Sequence, residues 1–556
     1  MYGFRKSMHG FAHKHAWFTP KPYILLSEIL MGLTTIQLYD YQKAMYRRIL
    51  YEFDYADDVF ASYASKGINV RARSLMVQLP TGTGKTYLMA AVIGHFMRQL
   101  NDCPEEQQEE VWVIAHRREL VEQIEETLNG FSIGHSRGAD ERIEGVRVMS
   151  IQWLTLHYED IMRKPCLIVI DEAHHSLADS YQPLWTRYPK TKKLGFTATP
   201  CRLQRKSFTG LYHKLLISCD IDEFIAKGRL SLYDYVVINK DSEDQLAIDS
   251  LSRRGTDGDY SIPEMDEKLN RPPTVARLYD SIQRYAKGKK GIVYAIDISH
   301  AQHIATYYAS MGMRTVAIDS KTPTTERKQR VRDFKEGRLD CIVNVNLFDE
   351  GFDCPDVEFI QMARPTLSLA KYMQMIGRGL RVHPLKKMCV LIDNVGLYRM
   401  FGKPNAKRDW QAMFEGRKAG KGSLPKRRDR STIIINNEME MVANHSFSQA
   451  NKERTTYLNA AEPFEHNGRW GLKVGEDIVL RPVYRMITPF VGDFATFSIA
   501  PERWGILLRN GKCFLSPDYK HIDIQPDGNA LIEKNGLMTY KLHLPTVYQR
   551  WIKEMF

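Results

Sequence analysis

The sequence predicts an α/β protein made of two consecutive units with parallel sheets, followed by a small β-rich region. Three observations carry this. Between about residues 36 and 200, short apolar runs alternate with amphipathic helical stretches: VWVIA (111–115), VRVMSI (146–151), CLIVI (166–170) and KLGFTAT (193–199). Strands alternating with helices in this way imply crossover helices on a parallel sheet. The rhythm returns with KGIVYAI (290–296), RTVAI (314–318), DCIVNV (340–345), VEFIQMA (357–363) and MCVLID (388–393). After Asp393 the character changes, and RWGL at 469–472 recurs as RWGI at 503–506, a step of 34 residues.

At 556 residues the chain is too long for one core and suggests about three domains. A hydrophobic content of 43% and a charged content of 26% are ordinary for a globular protein. The net charge of +12 makes a polyanionic partner worth considering without naming it. Eight cysteines (103, 166, 201, 219, 341, 354, 389, 513) form no C-x-x-C pair, which argues against zinc and against a secreted disulfide framework. A cytoplasmic setting is expected. No apolar run reaches the ~18–20 residues that span a bilayer, so no membrane partner is expected. The N-terminal stretch does not read as a signal peptide, and residues 1–30 are either an extension or an overcalled start.

The chemistry begins at QLPTGTGKTYL (78–88). A phosphate loop needs small residues so that backbone N–H groups can crowd around anionic oxygens at a helix N-terminus. Pro80, Thr81, Gly82, Thr83 and Gly84 would form it, Lys85 would supply a point charge to the phosphates, and Thr86 a hydroxyl for Mg²⁺. The strict pattern wants a glycine five places before Gly84, where Leu79 stands. CLIVIDEAHHS then delivers Asp171 and Glu172 to the end of an apolar strand, where ligands bind in open α/β sheets. Asp171 would hold the Mg²⁺ shell, and Glu172 would position the attacking water.

AHRREL (115–120), GFTATP (195–200), FDEGFDCP (348–355) and QMIGRGLR (374–381) follow in order, with LYDYQ (38–42) upstream. Over about 36–395 this set resembles a superfamily 2 helicase with two tandem RecA-like domains, a P-loop NTPase, and specifically the DNA-acting ResIII/RadD-like branch. Such loops commonly lack the first glycine, so Leu79 fits. The resemblance implies ATP and Mg²⁺ as cofactors and adenine recognition by Gln42. It further implies that His174 links the ATP site to the TAT segment, and that Gln374, Arg378 and Arg381 act on the phosphates from the second domain. Gly351 and Asp353 would also bind nucleotide. His116, Arg117, Gln152, Arg202 and residues 349–351 would lie near a bound nucleic-acid strand. DNA is favoured over RNA. The alternatives are an RNA helicase, a nucleic-acid-stimulated ATPase switch that remodels complexes without unwinding, and an interaction protein with a degenerate motor. The branch's cysteine-rich C-terminal zinc module is missing.

The expected organisation is an N-terminal extension (1–35), an ATP-binding domain (36–225), a second helicase domain (226–400), a basic connector (401–464) and a β-rich accessory domain (465–556). Residues 241–275 read as a polar surface excursion. The connector holds ten Lys/Arg against three Asp/Glu over 403–430, with Lys426, Arg427, Arg428 and Arg430 as candidate phosphate contacts. The tail resembles WG-type β repeats, in which Trp470 and Trp504 would anchor each repeat's small core, and NGLM (535–538) would open a third copy. It is a candidate for engaging a protein partner and is expected to take no part in hydrolysis.

Overall fold

A computed structural model describes residues 36–64, 73–101, 109–137, 145–161, 163–203, 206–345, 354–384, 386–417, 433–434, 439–445, 448–509, 511, 513–525, 529–534 and 537–544. The first sheet has seven strands: β1 (Ser74–Gln78), β2 (Glu110–Ala115), β3 (Ser136–Arg137), β4 (Val146–Ser150), β5 (Pro165–Ile170), β6 (Lys192–Thr197) and β7 (Lys214–Ile217). They lie in the order β3-β4-β2-β5-β6-β1-β7, and every pair is parallel. Alternate residues of one strand face opposite layers. Leu75, Val77, Val111 and Val113 join one apolar cluster, whereas Met76, Trp112 and Ile114 join another. Burial on both faces is why the runs read as continuously apolar.

The second sheet is built from β8 (Tyr233–Ile238), β9 (Gly291–Tyr294), β10 (Thr315–Ile318), β11 (Cys341–Asn344), β12 (Phe359–Met362) and β13 (Cys389–Asp393). Their order is β10-β11-β9-β12-β13-β8, again parallel. Beyond β8 the sheet is extended antiparallel by β15 (Met439–Ala443) and then β14 (Ile433–Ile434). No described helix is long and apolar enough to cross a membrane.

Two expectations need correction. Residues 241–275 are not a bare excursion. They hold the helices Glu243–Asp249 and Ile262–Leu269 and the start of Pro272–Tyr285. Their polar residues are buried with partners: Glu264 accepts from the backbone N–H groups of Ser252 and Arg253, at 3.1 and 2.7 Å. Nor is the connector a plain linker. Its helix Trp410–Phe414 returns to the first sheet's body, where the Phe208 N–H donates to the Phe414 carbonyl at 2.9 Å. The segment Met439–Ala443 then becomes β15 of the second sheet. Lys426, Arg427, Arg428 and Arg430 lie outside the described residues.

The C-terminal region is three antiparallel meanders: 462–484, 494–519 and 521–543. The two Trp-Gly steps occupy the same place in the first two. Trp470 pairs with Tyr484, and Trp504 with Tyr519, each beside a bulge. A Cβ on Gly471 would lie 2.3 Å from the Leu480 carbonyl oxygen, and one on Gly505 2.5 Å from that of Leu515, so glycine is required at both bulges. Trp470 and Trp504 each pack against a separate small core. NGLM does not open the third meander. Residues 535–536, outside the described set, join its middle strand Asn529–Lys534 to Leu537–His543. That position belongs to the turn after the Trp-Gly strand in the other two.

Candidate active site

The phosphate loop forms where β1 ends and the helix Lys85–Asn101 begins. Leu79 is fully buried in the core, and its N–H donates to the Thr197 carbonyl at 3.0 Å, fastening the start of the loop to β6. The Thr83 hydroxyl donates to the Pro80 carbonyl at 2.7 Å and closes a tight turn. Gly82 and Gly84 have φ of +85° and +75°, a region strained for any residue with a Cβ. Because the helix starts at Lys85, its unpaired N–H groups and positive dipole end lie at the loop.

Asp171 and Glu172 follow β5 directly, and both are buried. The Glu172 N–H donates to Asp171 Oδ1 at 2.9 Å. Glu172 has φ 46° and ψ 51°, a left-handed conformation that costs a non-glycine residue about 1–3 kcal/mol. Its carboxylate lies 3.9 Å from Lys85 Nζ and 3.3 Å from His174 Nδ1. His174 Nδ1 is also 3.1 Å from Thr197 Oγ1. A continuous path therefore runs from the loop at Leu79 through Thr197 and His174 to Glu172, the link expected between the ATP site and the TAT segment.

From the second sheet comes the helix Leu369–Gly379, whose N-cap Ser368 accepts from the Lys371 N–H at 3.3 Å. Asp259 anchors the same end. It accepts from the Leu367 N–H and the Thr366 hydroxyl, each at 2.7 Å, and from the Lys371 ammonium at 3.0 Å. Burial opposes its charge, yet the Leu367 N–H, Lys371 and Thr366 hold the carboxyl below its usual range. Gln374 and Arg378 are buried on this helix, and Arg381 follows just past its end.

The two halves touch. A Cβ on Gly377 would lie 2.5 Å from Thr81 Cβ, and one on Gly82 would lie 3.1 Å from Arg381 Cγ. The arginine-bearing helix of the second sheet thus packs directly on the phosphate loop of the first, bringing Lys85, Asp171 and Glu172 into one cleft with Arg378 and Arg381. Gly351 and Asp353, and the neighbouring 349, lie outside the described residues.

Gln42 departs from its expected role. It is fully buried, its Nε2 donates to the carbonyls of Thr83 (3.3 Å) and Gly84 (3.0 Å), and its Oε1 accepts from the Tyr39 N–H at 2.9 Å. In this arrangement the amide braces the loop, with its donor and acceptor already engaged, instead of facing a base. Tyr41 does the same through its hydroxyl, 2.6 Å from the Thr83 carbonyl. Sequence reasoning missed Tyr41 and Asp259. Only Tyr41 carried a signal, standing beside Gln42.

The strand-contact candidates line the C-terminal ends of neighbouring strands. Gln152 follows β4 and is exposed, and His116 and Arg117 follow β2. Arg202 follows β6, with Nε donating to the His174 carbonyl at 3.1 Å. The His116 ring stacks on His175 at 4.0 Å between centroids. Since β4-β2-β5-β6-β1 are adjacent, these residues occupy one side of the edge and the phosphate loop the other, with Glu172 and His174 between them.

Family models match the chain in both halves: "Type III restriction enzyme, res subunit" over 35–202 and "Helicase conserved C-terminal domain" over 273–383. A 51.5 kDa protein of a Lactococcus phage (isolate 7-9) is 30% identical over 398 residues, covering 69% of this chain and 81% of the phage protein. The chain belongs to the superfamily 2 helicases of the ResIII type. IRC3 of Saccharomyces cerevisiae, whose assignment as an ATP-dependent helicase is itself provisional, is 27% identical over 62% of this chain. The chain spans about half of that relative's length, 51%. The DNA 3'-5' translocase XPB2 of Sulfurisphaera tokodaii is 22% identical over 58% of this chain and 78% of its own. In this superfamily 2 helicase the catalytic residues therefore sit on a shared two-sheet ATPase frame.

Proposed function

We propose that the protein is an ATP-dependent helicase or translocase acting on DNA, with a motor formed by residues 36–225 and 226–400. The observation that carries this is the contact between Gly377 and Thr81, which sets Arg378 and Arg381 against the phosphate loop. The left-handed Gly82 and Gly84, the helix end at Lys85 and the Lys85–Glu172 approach suit a triphosphate. Thr86 and Asp171 offer the hard oxygen donors that suit Mg²⁺. The metal would neutralise charge on the phosphates. Lys85 and the loop N–H groups hold the phosphates, Glu172 orients the attacking water, and Arg378 and Arg381 supply positive charge from the second domain. Hydrolysis then depends on closure, and closing and reopening would move His116, Arg117, Gln152 and Arg202 relative to the second domain along a strand.

DNA is preferred over RNA on the named activity of the XPB2 relative. We place the protein in the cytoplasm on its scattered cysteines. The tail's reading as WG-like repeats for a protein partner rests on the sequence recurrence and the matched settings of Trp470 and Trp504. The test is ATPase activity measured side by side with single-stranded DNA, double-stranded DNA and RNA. Stimulation by DNA above RNA is expected, and stimulation by RNA alone would overturn the substrate assignment. Strand displacement with and without ATP separates unwinding from a switch that only remodels complexes.

A further inference from the structure

The C-terminal meanders do not stand apart from the motor. Arg229, only 4% exposed, donates to Asp477 Oδ1 at 2.6 Å and to the Val479 carbonyl at 3.0 Å. Arg454, on the helix Gln449–Asn459, donates to the Leu230 carbonyl at 3.3 Å. These contacts seat the strand Asp477–Tyr484 beside the first sheet's nucleotide loop. From that strand Arg481 reaches two motor rings. Its guanidinium carbon lies 3.7 Å from the Tyr87 ring centroid and 4.7 Å from that of Tyr39.

Both rings belong to the nucleotide machinery. Tyr87 follows Thr86 on the first turn of the helix, and Tyr39 holds Gln42, which in turn braces Thr83 and Gly84. Arg481 makes no ion pair among the described residues, and its Nε is buried without a hydrogen-bond partner there. A planar cation with unused donors, set against two rings at the loop's edge, can stack on and hydrogen-bond to a heteroaromatic base. If Arg481 served only to fasten the tail it would add little, because Arg229, Arg454 and β15 already do so.

We propose that Tyr39, Tyr87 and Arg481 form the subsite for the nucleobase of ATP, so that the C-terminal region completes the nucleotide site. This rests on the ATPase reading above and assigns the base recognition that Gln42, with its amide engaged by the loop, is not placed to provide.

The test uses full-length protein with saturating DNA and two substrates, ATP and ribose 5-triphosphate, which lacks the base. Arg481→Ala is expected to raise KM for ATP about tenfold with kcat within about twofold. KM for ribose 5-triphosphate and the melting temperature should stay unchanged. Arg481→Lys, which keeps the charge but loses the planar fork, should give an intermediate rise for ATP alone. Equal changes for the two substrates, or none for either, would overturn the subsite and leave Arg481 as a fastening. A wild-type protein that hydrolyses neither substrate would remove the ATPase reading, and the subsite with it.

Discussion

At position 79 a buried leucine stands where the phosphate-loop pattern has glycine, and its side chain belongs to the core while its N–H is tied to Thr197. Restoring the consensus should therefore harm the protein. Leu79→Gly is expected to cost about 3–5 kcal/mol in urea unfolding, from the lost packing and the looser unfolded chain, with no gain in ATP affinity. The catalytic assignments give a sharper split. Lys85→Ala should weaken ATP binding by removing charge from the phosphates. Glu172→Gln should keep binding, because Thr86 and Asp171 remain, but lower kcat about a hundredfold or more. Nucleotide-binding titration beside steady-state turnover distinguishes the two, and near-normal hydrolysis by Glu172→Gln would remove its role.

At the scale of elements, the helix Leu369–Gly379 governs assembly of the site. Gly377→Ala should stabilise the isolated helix by about 0.5–1 kcal/mol, yet its methyl group would meet Thr81 at 2.5 Å. The expected outcome is an unchanged or higher melting temperature with DNA-stimulated hydrolysis reduced at least tenfold, read by calorimetry and turnover on one preparation. The anchor at the helix's start sets a pH dependence. A carboxyl held below its usual range stabilises the folded state above about pH 4 and loses that contribution as pH falls through the depressed folded value. Asp259→Asn should therefore lower stability at neutral pH, and the gap to wild type should narrow below about pH 4 in denaturant titrations. The sheets were legible because strands buried on both faces are apolar throughout. The 241–275 region was not, because Asp259 and Glu264 are polar residues buried by particular partners, and hydropathy registers only their polarity.

For the whole molecule, the expected separation of motor and tail does not survive the connector's route. Residues 410–414 pack on the first sheet's body, 439–443 extend the second sheet, and Asp477 neutralises Arg229. Truncation after residue 435 removes β15 and strands a buried guanidinium, a change of about 3–5 kcal/mol for the lost partner alone. The shortened protein is expected to give aggregated or poorly folded material with little DNA-stimulated ATPase, judged by light scattering and turnover. A well-folded, fully stimulated fragment would mean that the tail is separable. Sequence patterning could not reveal this. Asp477 is 248 residues from Arg229, and nothing local to either marks the pair.

That separation also orders events during synthesis. A ribosome adds roughly 5–20 residues per second, so Arg229 waits on the order of 10–50 seconds before its carboxylate is made. Through that interval the nascent chain holds both sheets, an uncovered β8 edge until residues 439–443 arrive, and a cation destined for burial with no counter-charge. An open strand edge is a template for pairing with other chains. Translation beyond the last motor motif is thus the vulnerable period, and slowing it should lower the yield of soluble protein more than slowing it within the first sheet.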